Sequence, residues 1–247
     1  MKKILVIGEI CKDVFNYGKV DKLCPEAPVP IFKTLFSESN LGMAGNVCNN
    51  LVSLDSEVEI ESFHQSETIT KTRFVDKKSN QMIVRVDEGE LKKCSPLNLT
   101  QSLLTKIHQS DIVIVSDYNK GFLDLDTLKL IGKSSKLSIL DSKKQLNDEV
   151  VKSFSFVKLN EKEFENNTEL TYLENILITI GERGCIFRNK IFESKQPKET
   201  IDVSGAGDTF VCSFILKFFD TKNIEKSIDY ANEMASIVVG KRGVVTP

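Results

Sequence analysis

Short, almost wholly apolar runs rich in β-branched residues recur along this chain, interleaved with segments of helical spacing. "KILVIGEI" (3–10), "DIVIVSD" (111–117) and "LSILD" (137–141) have too little polar alternation to face water on either side. Strands of that kind must be covered on both faces, which points to a parallel sheet between two layers of helices. "SFVKLNEKEFE" (155–165) runs from strand into helix, and "NILITIGERGCIFRN" (175–189) reads as strand, glycine turn and strand. Helical spacing marks "AGNVCNNLVSLD" (44–55), with Val47, Leu51 and Leu54 on one face. It recurs in "LNLTQSLLTKIHQS" (97–110), "LDTLKLIGKSS" (125–135) and two closing segments, 208–219 and 224–240. The chain is therefore expected to fold as α/β with a mostly parallel central sheet flanked by helices.

A second pattern does not fit that rhythm. "VPIFKTLFSES" (29–39), "TITKTRFV" (68–75) and "QMIVRVD" (81–87) alternate apolar and polar residues, with "DKKSN" as a turn between the last two. "EVEIESF" (57–63) alternates as well. We expect one body over residues 1–247, with a small β-sheet lid projecting from strands within about 10–38 and 68–88.

Bulk properties narrow the partners. A net charge of −2 lacks the basic excess of a non-specific nucleic-acid binder. No run approaches the ~18 apolar residues of a membrane span, and the N-terminal run is too short for a leader. None of the six cysteines forms a C-x-x-C pair, so a zinc site is not expected. A reducing cytoplasm is the expected setting, with neither nucleic acid nor membrane as partner.

Chemistry concentrates in "IDVSGAGDTF" (201–210). Gly205 and Gly207 allow a tight turn with uncovered N–H groups, and a helix starting near Asp208 adds positive charge at its N-terminus. Together these suit a phosphate. A carboxylate there repels a resident phosphate unless it has a task, and the natural task is to take the proton of an attacking hydroxyl. The plainer alternative is that Asp208 caps the helix.

"DVSGAGDTF" resembles the C-terminal signature of the ribokinase-like (PfkB) carbohydrate kinases. The resemblance implies Asp208 as catalytic base and Gly205, Ala206 and Gly207 as the anion hole. It also implies ATP and Mg²⁺ as cofactors, and a ribokinase-like fold with a protruding lid. "KLNEKEFE" (158–165) resembles the family's N-x-x-E motif, which places Asn160 and Glu163 at Mg²⁺, and Glu161 and Lys162 beside them at the nucleotide. "ITIGERG" (178–184) resembles its nucleotide turn, with Thr179, Gly181 and Gly184. Asp13 in "GEICKD" occupies the position that holds sugar hydroxyls. "GMAGNVCNN" (42–50) resembles the glycine-pair signature at the sugar, carrying Gly42 and Asn46.

Further segments, "LCPEAPVPIFK", "TITKTRF", "MIVRVDE", "VSDYNKG" and "VGKRG" (239–243), resemble the branch of the family that phosphorylates heptose 7-phosphate at C1. That implies a sugar phosphate held by Lys71, Arg73, Arg85, Asp117 and Lys120, and a homodimer through the lid. For each basic residue a solvated strand face is the alternative. "DSKK" (141–144) resembles another motif of this branch and is left without a role.

The pattern departs in places. Met43 replaces the second glycine of the pair, and Cys24 replaces a serine. Helical segments are missing after residue 56 and after "EKEFE". No nucleotidyltransferase half follows Pro247, so a kinase alone is expected. Two rivals stay open: the same transfer to another sugar or sugar phosphate, and a trimmed binding protein without turnover.

Overall fold

The computed structural model describes residues 1–194, 203–240 and 246–247. Residues 201–202 and 241–243 of the motifs above lie outside them. Six parallel strands form most of an eight-stranded sheet: β1 (Lys2–Gly8), β4 (Val58–Phe63), β7 (Ile112–Asp117), β8 (Ser138–Ser142), β9 (Phe156–Asn160) and β10 (Ile176–Thr179). Its order is β12-β11-β10-β9-β8-β7-β1-β4, and β11 (Cys185–Phe187) and β12 (Lys190–Phe192) close one edge antiparallel. The apolar runs supply both faces. Ile4 and Val6 point into a core with α1 (Ala44–Leu54), α6 (Ala206–Thr221) and α7 (Ile224–Val239). Leu5 and Ile7 point into another with α2 (Gln101–Gln109), α3 (Leu125–Ser134) and α4 (Asp148–Ser153).

Helix starts follow local capping chemistry. Thr100, Asp124 and Asn147 accept N–H groups of α2, α3 and α4. The cap at Thr100 explains why α2 starts there although the apolar spacing extends back to Leu97. The short helix α5 (Glu161–Glu165) opens with a capping box between Asn160 and Glu163. Neither α4 nor β12 carries a pattern that the sequence reading picked out, being only 6 and 3 residues long.

The lid is a four-stranded sheet of order β3-β2-β5-β6. The alternating segments account for β3 (Pro30–Met43), β5 (Thr70–Asp76) and β6 (Met82–Glu88). Its remaining strand, β2 (Ile10–Leu23), leaves β1 almost without a break and pairs with β3 and β5 at once. The expected strand 57–63 belongs instead to the body, parallel to β1. Gln65 holds the junction by bonding both backbone groups of Ile10, at 2.9 and 2.7 Å. Met43 ends β3 at φ 58°, ψ −131°, a conformation that favours glycine. Its side chain is buried in the core, so packing opposes the backbone strain.

Candidate active site

The C-terminal ends of the parallel strands carry the motifs to one edge, where ligands of open α/β sheets collect. Gly205 takes φ 84° at the start of α6, and no side chain caps the helix. Asp208 is therefore not a cap. It is buried in the first turn, and its Oδ2 accepts a 2.7 Å hydrogen bond from Asn46 Nδ2. One turn along α1, Asn50 accepts from the neighbouring Thr209 at 2.7 Å, so α1 and α6 are joined by a buried polar seam. Burial, aided by the nearby Asp141 charge, lifts the Asp208 carboxyl to about 6, against the Asn46 bond and the charges of Lys158 and Lys143. A buried carboxylate that titrates near neutrality is suited to proton transfer.

Beside it a cavity of about 500 Å³ is lined by Lys158, Asn160, Thr179, Gly181, Gly184, Ala206 and Gly207. Three motifs separated in sequence thus face one space. Its deeper wall is apolar, with Val203, Phe210, Ala235 and Val239. Glu161 pairs with Arg183 across the nucleotide turn, while Lys162 stays exposed.

Asn160 and Glu163 bond each other's backbone N–H at 2.8 Å. Glu163 Oε1 faces Lys143 instead, at 3.6 Å. Among the described residues no group of three or more His, Cys, Asp or Glu forms a metal cage. One carboxylate and one amide fit Mg²⁺ of the kind held mainly by phosphates and water.

The lid residues divide into three groups. Asp13 is buried, ion-paired with Arg73 and approached by Cys11 Sγ at 3.7 Å. A Cβ at Gly42 would collide with the Asp13 carboxylate, which explains the glycine. Lys71 on β5 and Lys120 in the loop after β7 converge on Glu90 at 3.2 and 2.8 Å. Arg85 stands apart, half exposed and bound to Asp87. Asp117 faces inward, taking Ser142 Oγ at 2.6 Å and Lys144 Nζ at 3.3 Å, and so ties the "DSKK" loop to β7.

Several residues here escaped the sequence reading. Lys158 is 5% exposed on β9, ion-paired with Asp141 at 3.2 Å, and its Nζ lies 3.1 Å from where a Gly207 Cβ would stand. Burial alone would lower its ammonium, but Asp141, Glu163 and Asp208 together raise it. A lysine at a buried strand position was the available signal. Glu9 is fully buried and accepts the N–H groups of Tyr118 and Lys120 at 2.8 and 3.0 Å, fixing the loop after β7. Burial and the Asp117 charge raise its carboxyl.

Comparisons with known proteins show the family and the fold. The family described as pfkB family carbohydrate kinase matches residues 54–247. The bifunctional protein HldE of Helicobacter pylori strain J99 is 34% identical over 298 residues, taking in 98% of this chain and 64% of that protein. The chain thus spans about 64% of the length of this curated relative. Among solved structures, a ribokinase from Thermotoga maritima superposes with TM-score 0.72 at 18% identity, covering 99% of this chain and 95% of its own. An Arabidopsis thaliana ribokinase complexed with ribose and ATP gives TM-score 0.69 at 14% identity, covering 98% and 94%. The fold is ribokinase-like.

Proposed function

The chain belongs to the PfkB family of carbohydrate kinases, ATP-dependent phosphotransferases that act on a sugar, and from that premise we propose that it phosphorylates the C1 hydroxyl of a heptose 7-phosphate. The observation that carries the chemistry is Asp208: buried, oriented by Asn46 and raised to about 6, beside the Gly205–Gly207 turn that opens α6. Asp208 takes the proton of the acceptor hydroxyl. The amides of Gly205, Ala206 and Gly207, with Lys158 beneath them, face the charge of the transferred group. ATP occupies the cavity beside the glycine turn, its base toward the apolar wall. Asn160 and Glu163 would hold Mg²⁺, which neutralises phosphate charge when bound.

The choice of heptose rests on the lid segments that resemble that branch of the family, and is supported by the relatives named HldE. Lys71, Arg73 and Lys120 lie in those segments, and their carboxylate partners exchange for the sugar phosphate on binding, while Asp13 takes sugar hydroxyls. Exposed apolar residues on the lid, Leu35, Phe36, Val84 and Val86 among them, support a homodimer that covers them. A second reading, transfer to another sugar phosphate, draws support from Met43, whose bulk replaces a glycine at the sugar side.

ATP consumption with Mg²⁺, across a panel of heptose, hexose and pentose phosphates and free sugars, tests both readings. Turnover confined to heptose 7-phosphate and lost in Asp208→Asn is the expected result. Turnover on another sugar moves the substrate and keeps the mechanism. Unchanged turnover in Asp208→Asn overturns the base assignment.

A further inference from the structure

The "DSKK" loop places two consecutive lysines at the active edge, and their surroundings differ. Lys144 Nζ is held by the Asp117 carboxylate at 3.3 Å and the Asn119 side chain at 2.8 Å. Lys143 is fixed at its backbone, whose N–H donates to Asp117 O at 2.9 Å. Its ammonium has much looser company: the Glu163 carboxylate at 3.6 Å and the Tyr118 ring face at 4.6 Å. That separation from Glu163 is too long for a hydrogen bond. The Lys143 side chain is 47% exposed, so its N–H donors are open to a ligand.

Its location is between the two halves of the proposed reaction. Glu163 caps the helix whose Asn160 lines the nucleotide cavity, and with Lys143 it lines a second cavity. Tyr118 lies toward the base and the lid. Burial first, and then the charges of Asp208, Asp141, Cys11 and Asp13, push its phenol well above its ordinary value. Lys143 is also among the charges that oppose the burial-driven rise at Asp208. Lys158, by contrast, is immobilised by Asp141 beneath Gly207. A phosphoryl group in flight spreads its charge over three equatorial oxygens. Of the two lysines whose charges reach Asp208, Lys158 is held fast and Lys143 is the loosely held cation, free to follow those oxygens.

We propose that Lys143 is a catalytic residue whose ammonium contacts the γ-phosphoryl group of ATP during its transfer. This rests on the reading of the chain as an ATP-dependent sugar kinase. The γ-phosphorus loses its bond to the β,γ-bridging oxygen and gains one to the acceptor oxygen. The hydroxyl proton goes to Asp208, and ADP leaves with the electron pair. Lys143 leaves Glu163 and the Tyr118 face to follow the phosphoryl oxygens, without itself exchanging a proton.

The test is calorimetric titration of the full chain with Mg·ATP and with Mg·ADP, without sugar, in wild type, Lys143→Met and Lys144→Met. Lys143→Met is expected to weaken ATP about tenfold and ADP less than about twofold, since only ATP carries the γ-phosphate. Lys144→Met should keep the wild-type ratio of the two affinities. On whichever sugar the wild type uses, Lys143→Met should lower kcat about 100-fold or more, with Lys143→Arg recovering part of it. Equal loss of both nucleotides, loss of neither, or an unchanged kcat overturns the proposal. If the wild type binds ATP but phosphorylates no sugar, the functional reading fails while the ATP-to-ADP ratio still decides Lys143. A wild type that binds neither nucleotide overturns both.

Discussion

Strands β7 and β6 are nearly equal in length and stand under opposite conditions. Every residue of β7 is buried between helices, whereas every residue of β6 is exposed. The body has two apolar cores, one on each face of its sheet. The lid is held by strand pairing and by polar contacts such as Asp13–Arg73 and the Lys71–Glu90–Lys120 cluster. Stability therefore resides in the body, and adaptability in the lid. Elements that move on binding are drawn from the less stable part of a fold.

The largest expected effect isolates chemistry from both regions. Asp208→Asn should lower kcat by roughly 10²- to 10⁴-fold with little change in ATP affinity, measured by steady-state kinetics and titration. The same variant should be more stable than wild type at neutral pH. The folded state holds the Asp208 proton more tightly than the unfolded chain, whose carboxyl titrates near 3.8. The penalty is therefore absent below pH 3.8, grows as pH rises through about 6, and levels off at roughly 3 kcal/mol. Denaturant melts of the two proteins should coincide near pH 4 and separate by pH 7. Activity should rise with pH through the same window, as Asp208 loses its proton. Asp141, Lys158 and Lys143 face this group and set where the window falls.

Within the body, Phe214 is fully buried against Phe156 at 4.8 Å. Phe214→Ala should lower global stability by about 3–5 kcal/mol in chemical denaturation. In the lid, Arg73→Met strands the buried Asp13 carboxylate at a cost of about 3 kcal/mol. Hydrogen exchange should localise that loss, accelerating β2 and β5 roughly 100-fold while β7 holds its protection. Uniform acceleration would break the division between body and lid.

The smallest effect is expected at their junction. Met43→Gly relieves about 1–3 kcal/mol of backbone strain and forfeits a similar amount of buried side chain, so its net change should stay within about 1 kcal/mol. Met43→Ala keeps the strain and loses packing, and should destabilise by about 2 kcal/mol. Equal melting of the two variants would remove strain from the account of this position.

What could be read from the sequence was local. Apolar runs defined the body strands because burial on two faces leaves no room for polar alternation. Glycines beside Asp208 announced an anion site because their backbone amides need no partner from elsewhere in the chain. The resemblance carried by "DVSGAGDTF" and "KLNEKEFE" extended that to family and fold. Non-local contacts were not legible in this way. β2 lacks a clear pattern because the half-buried run Val14–Tyr17 interrupts its alternation of buried and exposed residues. Asp117 was read only as a substrate ligand, and its contacts with Ser142 and Lys144, which tie down the next loop, come from 25 and 27 positions away.

The sequence by itself determined an α/β body, alternating lid strands and a glycine turn with a carboxylate, since each depends on residues a few positions apart. Only the tertiary structure decided what surrounds that carboxylate. Asn46 reaches Asp208 from 162 positions away, and Lys158 meets Asp141 from a neighbouring strand. Burial and charge in the folded state, rather than any local spacing, raise Asp208 to about 6. Proximity of that kind exists only once the sheet has assembled.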